Sequence, residues 1–542
     1  MGISSSSSSI LLAVLFSFLC LISVPFGSSS SIINANILQC LSKHSQTPIP
    51  IYTPNNSNYS SVFRSTINNL RFLSSTTLKP LLIITPLQES HVQAAVVCAR
   101  KHGIQIKVRS GGHDYEGLSF ISDVPFIIVD LFNLRSVSVN VTDRTAWVQS
   151  GATVSELYYR IGEKSKTLGF PAGVCTTVGV GGQFSGGGYG SMLRKYGLAD
   201  DNVIDARIVD VHGRILNKET MGKDLFWAIR GGGGGSFGVV LSWKIKLVSV
   251  PPIVTLFTIS KTLEQGATAL VHRWTEVAPK LPHELWIRII FTLANSTRKG
   301  EKTILASFNS MYLGDAEKLL TVMKERFPEL GLERKDCTET SWLRSTLYFG
   351  NFPVQGSLNM LLNRTQPKNT FKSKSEYVTK PIPEIGLEGI WKRLLKEEKP
   401  LMIFTPYGGR MDEISESEIA FPHRNGTLFM IMYIVSWNEK GVETSKKHIS
   451  WIRELYRYLA PYVSKCPRAA YVNYRDIDLG QSKNGTATYL QGKAWGRRYF
   501  KGNYERLVHV KSKFDPENFF RHEQSIPSIA HPWGNKLGHW RS

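Results

Sequence analysis

The sequence lacks the signatures of several large classes of protein. Its longest apolar run covers residues 10–22, thirteen positions, whereas a membrane-spanning helix needs roughly 20. The six cysteines have no zinc-ligand spacing, and there is neither a dense basic helix nor the aromatic pattern of an RNA-binding sheet. These absences argue against a nucleic-acid partner and against a membrane-spanning protein.

What the chain does have is a globular composition. Of its 542 residues, 42% are hydrophobic, and they include 12 Trp, 20 Tyr and 26 Phe. A chain of this length exceeds one ordinary hydrophobic core, so two or more domains are expected. The net charge is +22, and the basic side chains are spread out, as in residues 372–380 and 392–399. We therefore predict a solvated basic surface rather than a polyanion-binding patch.

The amino-terminal apolar run is typical of a secretory signal peptide. Serine and glycine follow it, and we predict a signal peptide over residues 1–28, with cleavage between residues 27 and 35. Removing this leader also removes Cys20 and leaves an odd number of cysteines. In an oxidising compartment, at least one thiol is then unpaired or modified.

Glycosylation signals agree with secretion. Seven Asn-x-Ser/Thr sequons occur, at Asn55, Asn58, Asn140, Asn295, Asn363, Asn425 and Asn484.

Residues 80–252 alternate short apolar strands with helices. We predict a helix over 89–102 and strands over 81–86, 104–108, 125–130, 145–150 and 203–211. The order is not that of a Rossmann unit, so α+β organisation is expected. From 253 to about 469 the pattern is typical of an antiparallel sheet covered by helices. Here we predict helices over 262–277, 315–327 and 446–459, and strands over 286–293, 401–404 and 428–437.

Three glycine-rich segments carry the chemistry. The first, RSGGHDYEG (109–117), contains His113, and the second, GVCTTVGVGGQ (173–183) with SGGGYG (185–190), contains Cys175. Glycines let backbone approach a ligand, and imidazole and thiolate can bond covalently to an electrophilic ring. The third, RGGGGGSFG (230–238), could form an anion nest for a pyrophosphate. It is not a Walker loop, because no Lys-Ser/Thr follows it.

The first two segments together resemble the bicovalent flavin site of the berberine bridge enzyme-like family, a branch of the vanillyl-alcohol-oxidase-type flavoproteins. The resemblance covers nearly the whole chain after the leader. It implies an FAD-binding domain over 29–252, with its PCMH-type core at about 76–252. It also implies an inserted substrate domain of antiparallel sheet and helices over 253–470, and a segment over 471–530 that returns to the flavin domain.

The resemblance also assigns roles to individual residues. It implies that His113 is attached to the flavin 8α-methyl carbon, that Cys175 is attached to C6, and that Cys40 and Cys98 form a disulfide. Cys337 and Cys466 are then expected to be buried free thiols, with a second bridge as the less favoured alternative. Further FAD contacts are expected at Arg109, Ser110, Gly111, Gly112, Val178, Gly179, Gly182, Gln183, Gly186, Gly187, Tyr189, Gly190 and Asn473. No metal is expected.

Three tyrosines are the candidate catalytic residues. Tyr115 lies two residues past His113, so both side chains can share one face of an extended segment. Tyr471 and Tyr474 occur in YVNYRD (471–476), for which a packed β-hairpin is the alternative interpretation. In the family, the tyrosine of Asn-Tyr-Arg-Asp faces the flavin and serves as a base in phenol-oxidising members, and Tyr474 matches it. A phenol of pKa about 10 needs cationic help to ionise, and the sequence does not identify the helper.

Other positions bear on the acceptor and on the mechanism. Val178 matches a family position at which valine leaves room for dioxygen, although packing explains a valine equally well. Gln183 stands where many members have histidine, and Met432 stands where many have Glu or Gln. A thioether cannot act as a base, so the carboxylate-based mechanism of the namesake enzyme is not expected.

From these features we predict a secreted FAD-linked oxidase, of the apoplast, cell wall or vacuole. It would oxidise a phenolic or aromatic specialised metabolite, with or without ring closure, reduce dioxygen to hydrogen peroxide, and act as a monomer. A non-redox cyclase of the Diels–Alderase kind is one alternative, and a carbohydrate or monolignol oxidase of the cell wall is another. A non-enzymatic binding protein is a remote fourth, because three intact flavin loops argue against it.

Overall fold

The computed structural model describes residues 26–74, 76–482 and 486–529. The apolar run at 10–22 and the sequon at Asn484 lie outside the described residues. A helix, Phe26–His44, covers the predicted cleavage region. Within the described part of the chain, no helix is long and apolar enough to cross a membrane.

The chain forms both helices and strands, as the α+β prediction requires. The described helices are α1 Phe26–His44, α2 Tyr59–Ser65, α3 Glu89–Lys101, α4 Val154–Lys164, α5 Val180–Ser185, α6 Leu193–Tyr196, α7 Lys218–Ile229, α8 Ala267–Val277, α9 Ala316–Arg326, α10 Trp342–Phe349, α11 Glu384–Leu394, α12 Arg410–Glu413, α13 Val442–Leu459, α14 Tyr489–Phe500 and α15 Asn503–Phe514. The described strands are β1 Ile51–Tyr52, β2 Ile83–Ile84, β3 Gln105–Arg109, β4 Phe126–Asp130, β5 Val137–Asn140, β6 Thr145–Gln149, β7 Leu168–Gly169, β8 Val203–Val209, β9 Ile215–Leu216, β10 Val239–Lys246, β11 Val248–Ser249, β12 Val254–Thr262, β13 Leu285–Asn295, β14 Lys302–Tyr312, β15 Thr338–Thr340, β16 Thr370–Val378, β17 Pro400–Pro406 and β18 Phe429–Trp437.

Two small sheets and the two-stranded pair β7–β11 occupy the first half of the described chain. The first has the order β1-β2-β4-β3, with β2 and β3 parallel to β4. Every residue of β4 is buried, as expected for a central parallel strand covered on both faces. The second sheet is antiparallel, with the order β5-β6-β10-β8-β9. The expectation of an α+β rather than a Rossmann arrangement is confirmed.

A seven-stranded antiparallel sheet, β15-β12-β14-β13-β17-β18-β16, occupies the second half. Along β18, Phe429, Ile431, Tyr433, Val435 and Trp437 pack into one hydrophobic core together with residues of α8, α11 and α13. Because side chains alternate along a strand, the even-numbered residues of β18, including 430 and 432, point to the opposite face. Met430 belongs to the core that also contains the tyrosines of 471–504.

Several predicted boundaries shift for local reasons. The helix predicted over 262–277 begins at Ala267, because Gly266 has a φ of +81°, which interrupts the helix. The strand predicted over 81–86 keeps only two ladder residues, Ile83–Ile84. Residues 471–476 form turns and belong to no strand, so the β-hairpin interpretation is wrong.

The cysteine predictions are largely confirmed. Cys40 on α1 is bonded to Cys98 on α3, with a Cα–Cα separation of 5.7 Å. Cys175, Cys337 and Cys466 are free thiols. The expectation that Cys337 and Cys466 are buried is wrong, since Cys466 is exposed and Cys337 is partly exposed. Cys337 directly precedes the short strand β15, and Cys466 lies in an irregular stretch after α13.

The last described segment packs back on the first sheet. Lys107 on β3 forms a buried ion pair with Glu523, with Nζ and Oε2 2.9 Å apart. Gln105 donates a hydrogen bond to the carbonyl oxygen of Arg521. Phe519 and Phe520 share a core with β3, β4 and α3. Residues at the two ends of the described chain therefore build one wall.

Candidate active site

Distant chain segments enclose one cavity of about 350 Å³. All three glycine-rich segments border it, together with residues of YVNYRD and of the carboxyl-terminal segment. Its lining includes Ser110, Gly111, Gly112, His113, Tyr115, Cys175, Val178, Gly179, Gly182, Gln183, Tyr189, Gly233, Gly234, Gly235, Tyr471, Asn473, Tyr474, Arg475, Arg521 and His522. The cavity brings together most of the residues that the sequence singled out.

Bare backbone faces this space. A Cβ added to Gly182 or Gly235 would have no protein atom within 4 Å, although both residues line the cavity. The amide oxygen Oε1 of Gln183 is buried and has no hydrogen-bond partner among the described residues. A cradle of open glycine backbone with an unpartnered amide suits a ligand carrying both acceptor and donor groups, such as the pyrophosphate and ring of FAD. The residues present therefore fit this cofactor.

His113 lies on the first glycine-rich loop and Cys175 on the second, and both border the cavity. The Nε2 of His113 and the hydroxyl of Thr177 are 3.0 Å apart. Burial lowers the pKa of His113 to about 4, so its imidazole is neutral at pH 7. Cys175 faces the cavity, and the protein around it raises the pKa of its thiol by burial, against hydrogen bonds from Thr177 and Val178. Both side chains are of the kind that bonds covalently to a flavin ring. The imidazole attacks in its neutral form, and the thiol attacks after losing its proton.

Four tyrosines form one cluster at the cavity. The rings of Tyr115 and Tyr474 are stacked, with centroids 5.3 Å apart and planes 3° apart. The hydroxyls of Tyr474 and Tyr189 are hydrogen-bonded to each other. Tyr471 packs edge-on against Tyr474, with ring centroids 5.1 Å apart, and its hydroxyl accepts hydrogen bonds from Asn473 and Gly188.

The protein raises the pKa values of Tyr474 and Tyr189, but the causes differ between the two. Burial raises the pKa of Tyr474 well above its usual value, and the neighbouring tyrosines raise it further. Burial also raises the pKa of Tyr189, but hydrogen bonds from Tyr474 and Thr405 and the positive charge of Arg288 oppose this. Tyr189, which the sequence predicted only as a flavin contact, is therefore the member of the pair that a cation favours as the phenolate.

Arg288 is the functional candidate that sequence reasoning missed. It lies on β13, and its Nε donates a hydrogen bond to Oδ1 of Asn309, at 2.9 Å. Its charge is felt by both Tyr189 and Tyr474. The signal was available as a lone arginine within the apolar strand LWIRIIF (285–291). A charge in such a strand needs a partner and is a site candidate for that reason.

Comparison with known proteins agrees with this geometry. Residues 80–218 match the family of FAD binding domains, and residues 470–527 match the family described as berberine and berberine like. A tetrahydroberberine oxidase of Berberis wilsoniae is 56% identical over 500 residues, covering 91% of this chain and 94% of that protein. A monolignol oxidoreductase of Arabidopsis thaliana is 52% identical, covering 92% and 95%.

Among solved structures, a grass pollen allergen with glucose dehydrogenase activity is 48% identical, with a TM-score of 0.86. The match covers 91% of this chain and 99% of the allergen.

The chain belongs to the berberine bridge enzyme-like family. It is therefore an FAD-dependent oxidoreductase with a PCMH-type FAD-binding domain. The resemblance inferred from the sequence is confirmed.

Met432 departs from the pattern that the sequence resemblance implies for many members of this family. It lies on β18 opposite Ser375 of β16 and Ile403 of β17, and it is 7% exposed. The Tyr115 hydroxyl is directed at its sulfur, with O and S 3.7 Å apart. An apolar, polarisable group therefore occupies the space beside the stacked tyrosines.

Four of the predicted FAD contacts do not border the cavity. The Arg109 guanidinium is fully buried elsewhere, paired with Asp130 and bonded to the Val62 and Phe63 carbonyl oxygens. Gly186, Gly187 and Gly190 are instead places of close approach. A Cβ on Gly186 would lie 2.1 Å from Oδ1 of Asn473, and one on Gly190 would lie 1.7 Å from the Ala172 carbonyl oxygen. These three glycines allow close packing against other protein atoms and do not border the cavity.

A network of charges around Lys372 and Lys374 of β16, which we call the β16 seam, is largely buried, although the Arg453 side chain at its edge is 54% exposed. Its members are Arg71, Glu116, Lys372, Lys374, Arg453, Asp476 and Asp478. Lys372 Nζ pairs with Asp476 at 2.6 Å and with Glu116, and these three side chains are at most 3% exposed. The prediction of a solvated surface at 372–380 is wrong for Lys372 and Lys374, because carboxylates from other segments pair with them inside the protein.

Proposed function

We propose that this protein is a secreted oxidase in which bicovalently attached FAD removes hydride from an aromatic or phenolic specialised metabolite. One observation carries the proposal: the hydrogen-bonded pair of Tyr189 and Tyr474, which senses the charge of the half-buried Arg288, borders the same cavity as His113 and Cys175. Bound FAD supplies the acceptor for the hydride and passes the electrons to dioxygen, which gives hydrogen peroxide.

Bicovalent attachment is supported by the residues on both sides of the cavity. His113 and Cys175 belong to different loops that share the Thr177 hydroxyl. Two covalent bonds would hold the ring in one orientation and prevent loss of the cofactor outside the cell.

The tyrosine pair acts as the base. A phenol between a second phenol and a guanidinium can lose its proton at lower cost than an isolated buried phenol, because the charge is shared and compensated. The proton that leaves the substrate goes to the Tyr474 oxygen while the Tyr474–Tyr189 hydrogen bond accommodates the change. The two groups titrate as a coupled pair, so the apparent pKa belongs to both.

The substrate class is inferred from the apolar wall formed by Tyr115, Phe371 and Met432 beside Tyr474, on which the ring of Tyr115 is stacked. Tyr115 packs edge-on against Phe371, with centroids 5.4 Å apart, and its hydroxyl meets the sulfur of Met432. Such a wall binds flat apolar rings better than a sugar, whose hydroxyls would be left without partners. The 56% identity to a protein named tetrahydroberberine oxidase supports the oxidation of a specialised metabolite.

Monolignol oxidation is the second candidate. It is favoured by the 52% identity to a monolignol oxidoreductase, together with a base pair suited to a phenol. The relatives' oxidase names favour redox chemistry over the non-redox cyclase alternative, and the apolar wall disfavours the carbohydrate alternative.

Two further features belong to this proposal. Val178 borders the cavity beside Cys175 and would leave a path for dioxygen. Secretion to the apoplast, cell wall or vacuole is supported by the disulfide between α1 and α3 and by exposed sequon asparagines at Asn55, Asn58, Asn140, Asn295, Asn363 and Asn425. The division into domains at residues 252 and 470 and the monomeric state belong to the same proposal.

The decisive experiment measures oxygen consumption and anaerobic flavin bleaching with a tetrahydroprotoberberine, a monolignol and glucose. We expect the tetrahydroprotoberberine or the monolignol to bleach the flavin and glucose to leave it oxidised. Tyr474→Phe should slow bleaching by about 10²–10⁴-fold with the flavin still bound, because general-base removal costs that much. Tyr159→Phe, on the exposed side of α4, is the matched control.

Product formation under nitrogen over many turnovers, with the flavin oxidised throughout, would contradict this function and favour a non-redox cyclase. Rapid turnover of glucose would instead favour a carbohydrate oxidase.

A further inference from the structure

The two loops that carry the nucleophiles are locked together by their own backbones. A Cβ on Gly111 would lie 2.3 Å from the Gly179 nitrogen, and a Cβ on Gly179 would lie 2.1 Å from the Ser110 Oγ. Gln366 adds a hydrogen bond from its side chain to the Gly111 carbonyl oxygen, at 2.7 Å. The separation between the loops is therefore set by the protein fold.

One hydroxyl lies between the two nucleophiles. The Thr177 Oγ1 is 3.0 Å from Nε2 of His113, and it also hydrogen-bonds to the Cys175 thiol, where it favours the ionised form. Thr177 itself is only 5% exposed, so solvent does not compete for these bonds. Among the described residues, no hydrogen-bond partner other than Thr177 is recorded for the His113 ring.

The chemistry of attachment fixes the direction of these hydrogen bonds. A nitrogen attacks through its lone pair, and a neutral imidazole has one nitrogen with a lone pair and one with a hydrogen. If Nε2–H donates to Thr177, Nδ1 keeps the free lone pair. The threonine hydrogen is then available to donate to sulfur, which supports the thiolate. One hydroxyl, acting as acceptor and donor at once, prepares both nucleophiles.

We propose that Thr177 is a positioning residue for covalent attachment of the flavin, holding His113 as the tautomer with a free Nδ1 and orienting the sulfur of Cys175. This inference rests on the bicovalent attachment proposed above. Each new bond replaces one hydrogen on the flavin and one on the side chain, so it releases two electrons and two protons. Dioxygen takes both pairs, one molecule for each bond, and becomes hydrogen peroxide. The proton on Nε2 leaves through the Thr177 hydroxyl.

The test compares Thr177→Val, which keeps the shape and removes the hydroxyl, with Thr177→Ser, which keeps the hydroxyl. Thr176→Val makes the same change one residue earlier and is the matched control. Flavin-free protein is mixed with FAD in air, and samples are acid-precipitated at intervals. Mass spectrometry of protease digests then gives the fraction of His113 and Cys175 peptides that carry flavin, beside the total bound flavin from absorbance.

We expect Thr177→Val to bind FAD and to attach it about tenfold more slowly at both residues, since one oriented hydrogen bond is worth about that factor. Thr177→Ser and Thr176→Val should attach flavin at rates close to the wild-type rate. Attachment by Thr177→Val at the wild-type rate, or equally slow attachment by Thr177→Ser, would overturn the positioning role and leave the bicovalent proposal standing. Complete release of FAD from the wild-type protein by acid would overturn both.

Discussion

The glycine loops around His113 and Cys175 and the β16 seam lie next to each other, with Glu116 of the seam only three residues past His113. The loops are built from residues that are close in the chain and from backbone that tolerates no Cβ at Gly111 or Gly179. The seam is built from charges more than 100 residues apart, such as Lys372 and Asp476. The loops reveal their function in the sequence, whereas the seam becomes visible only when the chain is folded.

The largest effect is expected from breaking the seam. Lys372→Met removes the cation between Glu116 and Asp476 and leaves two buried carboxylates without it. Burial alone would lower the pKa of Lys372, but Asp476 and Glu116 raise it, so the ion pair is intact at neutral pH. Removing one partner of a buried ion pair typically costs about 3–5 kcal/mol; because Glu116 keeps Arg71 and Asp476 keeps Lys374, we expect a loss near the lower end of that range in the free energy of unfolding in urea.

The control for that experiment is Lys446→Met. Lys446 pairs with Glu443 on the exposed face of α13, where its side chain is 65% exposed. Exposed pairs contribute about 0–1 kcal/mol, so this variant should unfold almost as the wild type does. Equal losses of unfolding free energy in Lys372→Met and Lys446→Met would mean that the buried seam contributes no more stability than an exposed ion pair. That result would contradict the distinction drawn between the two regions.

A second, smaller effect concerns the pH dependence of the free energy of unfolding, to which His113 of the first glycine loop should contribute. Burial lowers the pKa of His113 to about 4, from an unfolded value of about 6.5. The stability from its neutral form is complete above pH 6.5 and is lost as the pH falls through about 4. That loss is at most about 3 kcal/mol. Lys372 keeps its charge through this window, so this lysine of the seam adds nothing to the pH dependence.

The measurement is urea unfolding of flavin-free wild type and His113→Gln between pH 4 and pH 7. The pKa values of His423 and His522 are also lowered by burial, so only the difference between the two proteins reports His113. We expect that difference to change with pH. A constant difference across the window would show that His113 is not held neutral by burial.

The smallest effect should sharpen the distinction between two kinds of glycine within the loops. Gly179→Ala forces a Cβ to within 2.4 Å of the Gly111 nitrogen, so we expect the flavin-free protein to lose about 1–3 kcal/mol. Gly182→Ala has no protein atom within 4 Å of the new Cβ and should keep that stability. It should instead weaken FAD binding, because the methyl group enters the cavity. Fluorescence titration with FAD and thermal unfolding distinguish the two outcomes.

The parts of the site that sequence reasoning found are those whose requirements are local. Glycine runs, a nucleophile among them and an Asn-Tyr-Arg-Asp motif are visible in short windows, and their side chains meet at one cavity. The fold class and most helices and strands followed from periodicity, with errors at ends where a single residue such as Gly266 decides the boundary. The Cys40–Cys98 disulfide followed from the family resemblance.

The parts that were missed depend on distant partners. Arg288 looked like a strand residue until β13 brought it to Tyr189 and Tyr474. Arg109 looked like a loop residue facing a ligand, yet Asp130 on the neighbouring strand takes its charge. Lys372 and Lys374 were predicted to be solvated because their partner carboxylate, Asp476, lies more than 100 residues away in the chain. Ion pairs between residues far apart in the sequence cannot be predicted from a short stretch of it.

The wall formed by Phe520, Arg521 and His522 has a consequence for how the protein is made. The first glycine loop leaves the ribosome about 400 residues before this wall does. At roughly 5–20 residues per second, that is a delay of about 20–80 s. Until then the half-built cleft stands open, so the flavin can be enclosed only after synthesis of the chain is nearly complete. A nonsense mutation shortly before residue 520 would therefore yield a colourless protein, even with every nucleophile and tyrosine in place.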